Sequence, residues 1–235
     1  KDNVLLTIDT SGSGLNKRGY RLAQGEAPIK ETLAASLIRL ANWKGDTPLI
    51  DPFCGSGTIA IEACLIAQNI APGFNRDFVS EEWNMMPPNI YDKLRDEADQ
   101  MADYDKEIEV YASDIDPEMI EIARRNAEEV GLSDIIQFSV KDVNTLTIDS
   151  EGPVALVGNP PYGERIGDRE EVEEMYRYIG TLMKEHPYLS TYILTSNKEF
   201  EYLVNRKATK RRKLFNGYIE CTYYQYWGKK TESKS

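Results

Sequence analysis

Asn159-Pro160-Pro161-Tyr162 and, well upstream, Asp51-Pro52-Phe53-Cys54-Gly55-Ser56-Gly57-Thr58 are the two strings in this chain with residue types suited to chemistry on a nitrogen. Prolines at 160 and 161 remove backbone donors and stiffen the loop, so the Asn159 side-chain oxygen and the Pro160 carbonyl become two fixed acceptors. The exocyclic amine of a base has two hydrogens to offer such a pair. Its lone pair is delocalised into the ring, and aligning the hydrogens favours the pyramidal, attacking geometry, a contribution of positioning and electrostatics. Tyr162 adds a face on which a ring can stack. The competing reading of Asn159 is a simple Asn-Pro turn.

The elements around these strings set where they sit. Pro48 to Ile50 reads as a buried strand closed by Asp51, Gly55 and Gly57 permit close ligand approach, and Ile59 to Gln68 reads as a helix with Ile59, Ala63, Ile66 and Ala67 on one face. Strand, glycine turn and helix start form the nucleotide-binding corner of doubly wound sheets. A second strand, Ile108 to Asp114, puts a carboxylate at its tip, placed to accept from ribose hydroxyls. Asp114 follows Gly57 by 57 positions, against about 20 in dinucleotide folds, and setting aside the 35 residues 71–105 as an insertion leaves 22.

Asp116-Pro117-Glu118 supplies a helix cap, a first-turn proline and an early acid, and Gly131 a stop; Met119, Ile122, Ala123, Asn126, Ala127 and Val130 should face inward. Ile135 to Val140 is a third strand, followed by Asp142, which is placed to accept from an adenine amine or to act as a turn acid. Pro153 to Gly158 is an unbroken apolar strand, as in the middle of a parallel sheet covered on both faces, and it delivers Asn159. Downstream, a helix over 170–185, a strand over 190–195, a short helix over 199–204 and a closing pair at 213–216 and 219–227 complete the scaffold. Upstream, Pro28 to Leu40 reads as a helix with Leu33, Leu37 and Leu40 inward.

The quoted strings, with Ser113-Asp114-Ile115-Asp116, Gly163-Glu164-Arg165, Leu15 to Arg21 and Ala27 to Glu31, resemble the bacterial 23S ribosomal RNA guanine-N2 methyltransferases over residues 12–228. The resemblance implies a Rossmann-like class I methyltransferase: α/β, with a seven-stranded, mostly parallel sheet and helices on both faces. It implies S-adenosylmethionine as cofactor and a guanine amine in ribosomal RNA, or among relatives transfer RNA, as acceptor. Catalysis would fall to Asn159, Pro160 and Tyr162. Cofactor contacts would come from Asp51, Cys54, Gly55, Ser56, Gly57, Thr58, Asp114, Ile115, Asp142 and Asn159, with Glu31 and Thr32 at the methionine end. RNA contacts would come from Tyr162, Arg165, Lys17, Arg18 and Arg21. Asn-Pro-Pro-Tyr is shared with adenine-N6 and glutamine-N5 enzymes, so it fixes the nucleophile class more than the substrate. An RNA-binding THUMP module normally precedes the catalytic domain, and Val4 to Ile8 reads as a strand arriving from something upstream. Residues 1–31 are thus expected to be a linker, 32–228 the catalytic domain and 229–235 a loose polar tail.

With 235 residues and 41% hydrophobic content the chain can bury a full core. A net charge of -11 opposes polyanion binding, because Lys and Arg contacts to phosphate dominate that affinity. The exceptions are Lys17, Arg18 and Arg21 and the run Arg206, Lys207, Lys210, Arg211, Arg212 and Lys213, although such runs are more often solvated faces. Cys54, Cys64 and Cys221 lack metal-ligand spacing and His186 stands apart, so no metal is expected. An odd cysteine count, no signal peptide and no long apolar stretch point to a reduced, cytoplasmic protein with no membrane partner. A nicotinamide dehydrogenase shares the sheet but leaves Asn-Pro-Pro-Tyr unexplained; a non-catalytic RNA-binding module with a retained pocket is the remaining rival.

Overall fold

The computed structural model describes residues 3–22, 29–162 and 168–229. The parallel strands β1 (Leu49–Asp51), β2 (Val110–Asp114), β3 (Ile136–Val140) and β4 (Val154–Gly158) are joined by β5 (Leu189–Thr195), β6 (Lys210–Asn216) and β7 (Ile219–Tyr226) in one sheet. Its order is β3-β2-β1-β4-β5-β7-β6, with β7 antiparallel to both neighbours. The expected seven-stranded, mostly parallel Rossmann-like sheet is therefore present. β4 is buried at every position, as its unbroken apolar sequence requires.

Helices α1 (Glu31–Ala41), α2 (Thr58–Ala67) and α4 (Pro117–Glu128) share one apolar cluster with one face of the sheet. The other face carries α5 (Asp168–Glu185) and α6 (Phe200–Leu203) over β4, β5 and β7. No α-helix follows β3, so Tyr111, Gln137 and Ser139 leave that part of the second face open. Asp116 caps α4 as expected, its carboxylate accepting from Glu118 N at 2.8 Å, and Gly131 takes φ +69° just beyond the helix.

Side-chain faces depart from the periodic reading where further layers cover them. α2 is buried nearly all round because α1 and the N-terminal segment both lie on it, so its single apolar stripe was too narrow an expectation. In α1 the inward set is Ala34, Leu37, Ile38 and Ala41, with Leu33 and Leu40 only half-buried. Ile120, rather than Met119, is the buried apolar residue in the first turns of α4. The insertion over 71–105 carries a helix, α3 (Ile90–Gln100), with no buried residue.

Val4 to Ile8 is not a strand here: it pairs with nothing in the sheet, and Val4, Leu5, Leu6 and Ile8 are exposed. From Ser11 the chain becomes a strap over the body. Arg76, itself buried, donates to the carbonyls of Ser11, Ser13, Gly14 and Lys17 at 2.7–3.3 Å. Gly19 passes the insertion at φ +94°, where a Cβ would lie 2.0 Å from the Asn75 carbonyl oxygen.

Candidate active site

β1 lies between β2 and β4, all parallel, so the turns leaving their carboxyl ends open on the same edge. With the turn after β3 they surround a cleft of about 300 Å³. Among the residues expected to contact a cofactor, Cys54, Gly55, Ser56, Thr58, Asp114, Ile115, Asp142 and Asn159 line it. Pairing of β1 with both neighbours thus gathers residues that are far apart in sequence.

Each group is held by local backbone chemistry. Asp114 accepts from Gly55 N at 2.9 Å through Oδ2 and from Asp116 N at 3.1 Å through Oδ1, which fixes its carboxylate and leaves further lone pairs toward the cleft. Asp142 caps the 3-10 turn Val143–Thr145, accepting from Asn144 N at 2.9 Å. Gly55 has φ +49°, and a Cβ built there meets no protein atom within 4 Å. Replacing Gly55 by alanine is therefore expected to cost only about 1–2 kcal/mol of stability from the left-handed backbone. Ligand affinity of the cleft should fall at least about tenfold as the methyl enters ligand space. Melting curves and calorimetric titration check the two halves separately.

Asp51, Gly57, Glu31, Thr32 and Pro160 do not line the cleft. Asp51 is fully buried behind the turn and accepts from Phe53 N at 3.2 Å, while its Oδ2 has no hydrogen-bond partner. Burial pushes its pKa up to about 8, with the Phe53 amide opposing and the neighbouring Asp114 charge adding to the rise. Between the unfolded carboxyl value of about 4 and about 8, the native state keeps a proton that the unfolded chain has lost, so stability is full below that window and declines as pH rises through it. The Asp51 contribution should lower stability by up to about 1.4 kcal/mol per pH unit there. Asp51→Asn should flatten that part of a melting-temperature profile, and an unchanged slope would contradict the assignment.

Gly57, at φ +82°, instead lets α2 approach α4, since a Cβ there would sit 3.1 Å from Ala123 Cβ. Glu31 is buried, with Oε1 3.2 Å from Arg21 Nε. Burial drives the Cys54 thiol far above its usual range, which keeps it protonated and removes it as a nucleophile.

At the rim, Tyr162 donates its hydroxyl to Asn159 Oδ1 at 2.7 Å and accepts from Asn216 Nδ2 at 3.2 Å. Expected to offer a stacking face, Tyr162 is half-buried against the core, and burial raises its phenol pKa so that it remains a donor. It thereby aims the Asn159 oxygen, which accepts no other hydrogen bond among the described residues. Tyr176 of α5 braces the rim from below, donating to the Pro161 carbonyl at 3.1 Å with its oxygen 2.9 Å from Thr195 Oγ1. Sequence reading carries no signal for this role of Tyr176. It also missed Ile29, Phe53, Met119, Lys141, Val143 and Met175 as lining residues; Phe53 was signalled by its place inside the glycine string, whereas Ile29 and Met175 carry no local signal.

Two of the residues expected to contact RNA are largely buried. Arg18 pairs with Glu62 at 3.3 Å, where Tyr20 also donates at 3.0 Å, and Arg21 donates to the Ile29 carbonyl and Thr58 Oγ1, both at 2.8 Å. Their side chains are only 12% and 14% exposed, and both guanidinium groups act as internal struts. Lys17 is exposed, and Arg165 lies outside the described residues. Among the described residues no cluster of three or more His, Cys, Asp or Glu is placed to hold a metal, and no helix is long and apolar enough to cross a membrane.

Residues 18–225 match the family described as "RMKL-like, methyltransferase domain" (UPF0020). The chain belongs to this family. Among similar proteins is a Bacillus subtilis (strain 168) protein named "Putative RNA methyltransferase YpsC", 57% identical over 97% of this chain and 59% of its own length. Another is the "Ribosomal RNA large subunit methyltransferase K/L" of Shewanella frigidimarina, 40% identical over 95% of this chain and 32% of its own. The chain thus spans about a third to three-fifths of the length of these relatives. The solved structure of "SMU.472, a putative methyltransferase complexed with SAH" superposes with TM-score 0.90 at 44% identity, covering 96% of this chain and 59% of that one. A Listeria monocytogenes protein described as a "predicted N6-adenine-specific DNA methylase" gives TM-score 0.89 at 52% identity, covering 94% and 57%.

Proposed function

We propose that this domain transfers the methyl group of S-adenosylmethionine to the exocyclic N2 amine of a guanine in RNA, most directly 23S ribosomal RNA. The observation that carries the reading is the convergence of Gly55, Asp114 and Asn159 on one cleft. The cleft residues suit the cofactor: a glycine whose Cβ would project into ligand space, an anchored carboxylate with lone pairs left for ribose hydroxyls, and apolar walls at Ile29, Phe53 and Met119. The relative SMU.472, complexed with SAH, supports the same choice. When bound, S-adenosylmethionine supplies an electrophilic methyl on a sulfonium.

The chain's own residues do the rest. Asn159 Oδ1 and the Pro160 carbonyl accept the two amine hydrogens, holding the nitrogen lone pair toward the cleft. The target base must leave its stack to reach this rim. No strong base is demanded, because the methylated amine is acidic enough to release its proton to water.

RNA as substrate rests on the RMKL-like family and on the names of the Bacillus and Shewanella relatives. The name of the Listeria relative favours adenine-N6 as the second reading. Incubating the protein with labelled S-adenosylmethionine and unmodified ribosomal RNA, then analysing nucleosides, decides between them. N2-methylguanosine is expected; N6-methyladenosine would replace the acceptor. Absence of both label transfer and cofactor binding by calorimetry would leave a non-catalytic module.

A further inference from the structure

β6 is the terminal strand of the sheet, and its two faces differ in a way the sequence run Lys210 to Lys213 hides. On the face toward α5 and α6, both cations are neutralised within the chain: Arg211 pairs with Glu201 at 3.1 Å and Lys213 with Glu220 at 2.6 Å. On the opposite face Lys210 and Arg212 are exposed and pair with no acid among the described residues. That second face, by strand alternation, also carries Leu214 and Asn216, opposite Gln225, Tyr223, Cys221 and Ile219 of β7. Asn216 ends the row at the rim, donating to Tyr162, which in turn holds Asn159. At about 3.3 Å per residue, Arg212 lies roughly 13 Å and Lys210 roughly 20 Å from Asn216 along the strand. Beyond Asn216 the hairpin tip presents Tyr218, fully exposed.

We infer that the Lys210/Arg212 face of β6, ending in Tyr218, is the ridge on which the single-stranded RNA beside the target base docks. The inference rests on the RNA reading above and adds where the strand lies. Two unpaired cations in line with the rim suit successive phosphates, and an exposed ring beside the rim suits a neighbouring base, the pairing of basic groove and stacking platform that single strands require. In a chain of net charge -11, cations left unpaired on one face only are where a polyanion meets attraction rather than repulsion. Bare charges on an edge strand also discourage strand pairing between copies, and this is the competing explanation.

The test uses the protein with a fluorescent unmodified ribosomal RNA fragment, comparing wild type, Lys210→Ala/Arg212→Ala, Tyr218→Ala, and a charge-matched control, Arg125→Ala/Lys184→Ala, whose residues are exposed on α4 and α5. For the ridge pair, RNA affinity should fall roughly tenfold or more, and the slope of log affinity against log salt should shrink by about 1.4, at about 0.7 for each phosphate no longer neutralised. KM for RNA should rise with kcat unchanged. Tyr218→Ala should weaken binding without changing the slope. Equal losses in the control pair, or unchanged RNA affinity with new self-association of the ridge pair, would overturn the proposal. If wild type binds RNA through the ridge yet methylates no guanine, the ridge stands and the assigned acceptor fails; if methylation proceeds and ridge variants match wild type, the reverse holds.

Discussion

Replacing Asn159 by alanine should lower kcat by about 10³-fold, equivalent to about 4 kcal/mol of transition-state stabilisation, while leaving calorimetric affinity for S-adenosylmethionine within about threefold. The asymmetry follows from where Asn159 stands. It lines the cleft together with the turns after β1, β2 and β3, which carry the proposed cofactor contacts. Its oxygen accepts from Tyr162 at 2.7 Å, and in the proposed function it is the acceptor for the incoming amine. Without that acceptor the amine is neither oriented nor polarised, and a rate loss confined to the chemical step results. Proportional losses of cofactor affinity and rate would instead make Asn159 a structural member of the β4 turn.

Asp114→Ala should produce the converse pattern, cofactor affinity weaker by about 10²-fold with kcat at saturating cofactor close to normal. Hydrogen bonds to a charged acceptor contribute about 1.5–3 kcal/mol each, and two ribose hydroxyls would be lost. Part of the effect would come through Gly55, whose amide rests on Asp114 Oδ2 at 2.9 Å and would lose its anchor. Single-turnover rates at saturating cofactor separate this from a catalytic defect; a rate loss that persists at saturation would contradict the assignment. Opposite signatures from two residues lining one cleft would divide binding from chemistry more cleanly than either variant alone.

What the sequence disclosed was local chemistry. The Asp116 cap and the apolar run into Asn159 each act within a few residues, and each stands where sequence reasoning put it. What it concealed depends on partners remote in the chain. Arg18 and Arg21 look like a surface cluster until Glu62, 44 positions away, and Thr58, 37 away, turn them inward. Tyr162 looks like a free platform until Asn216, 54 positions on, fixes its hydroxyl. The start of β6 at Lys210 was equally hidden, because an edge strand whose first four residues are basic and exposed shows no apolar alternation. Val4 to Ile8 shows the reverse failure: strand-like residues remain unpaired when the body offers them no sheet edge.

A co-crystal structure with S-adenosylhomocysteine would show whether the cofactor and the β4 rim face each other. Ribose hydroxyls are expected on Asp114 and the sulfur facing Asn159 and Pro160, near enough that a methyl on it would lie within about 3–3.5 Å of an amine held at the rim. A sulfur turned away from that rim, or a ligand seated outside the cleft between the β1 and β4 turns, would contradict that expectation.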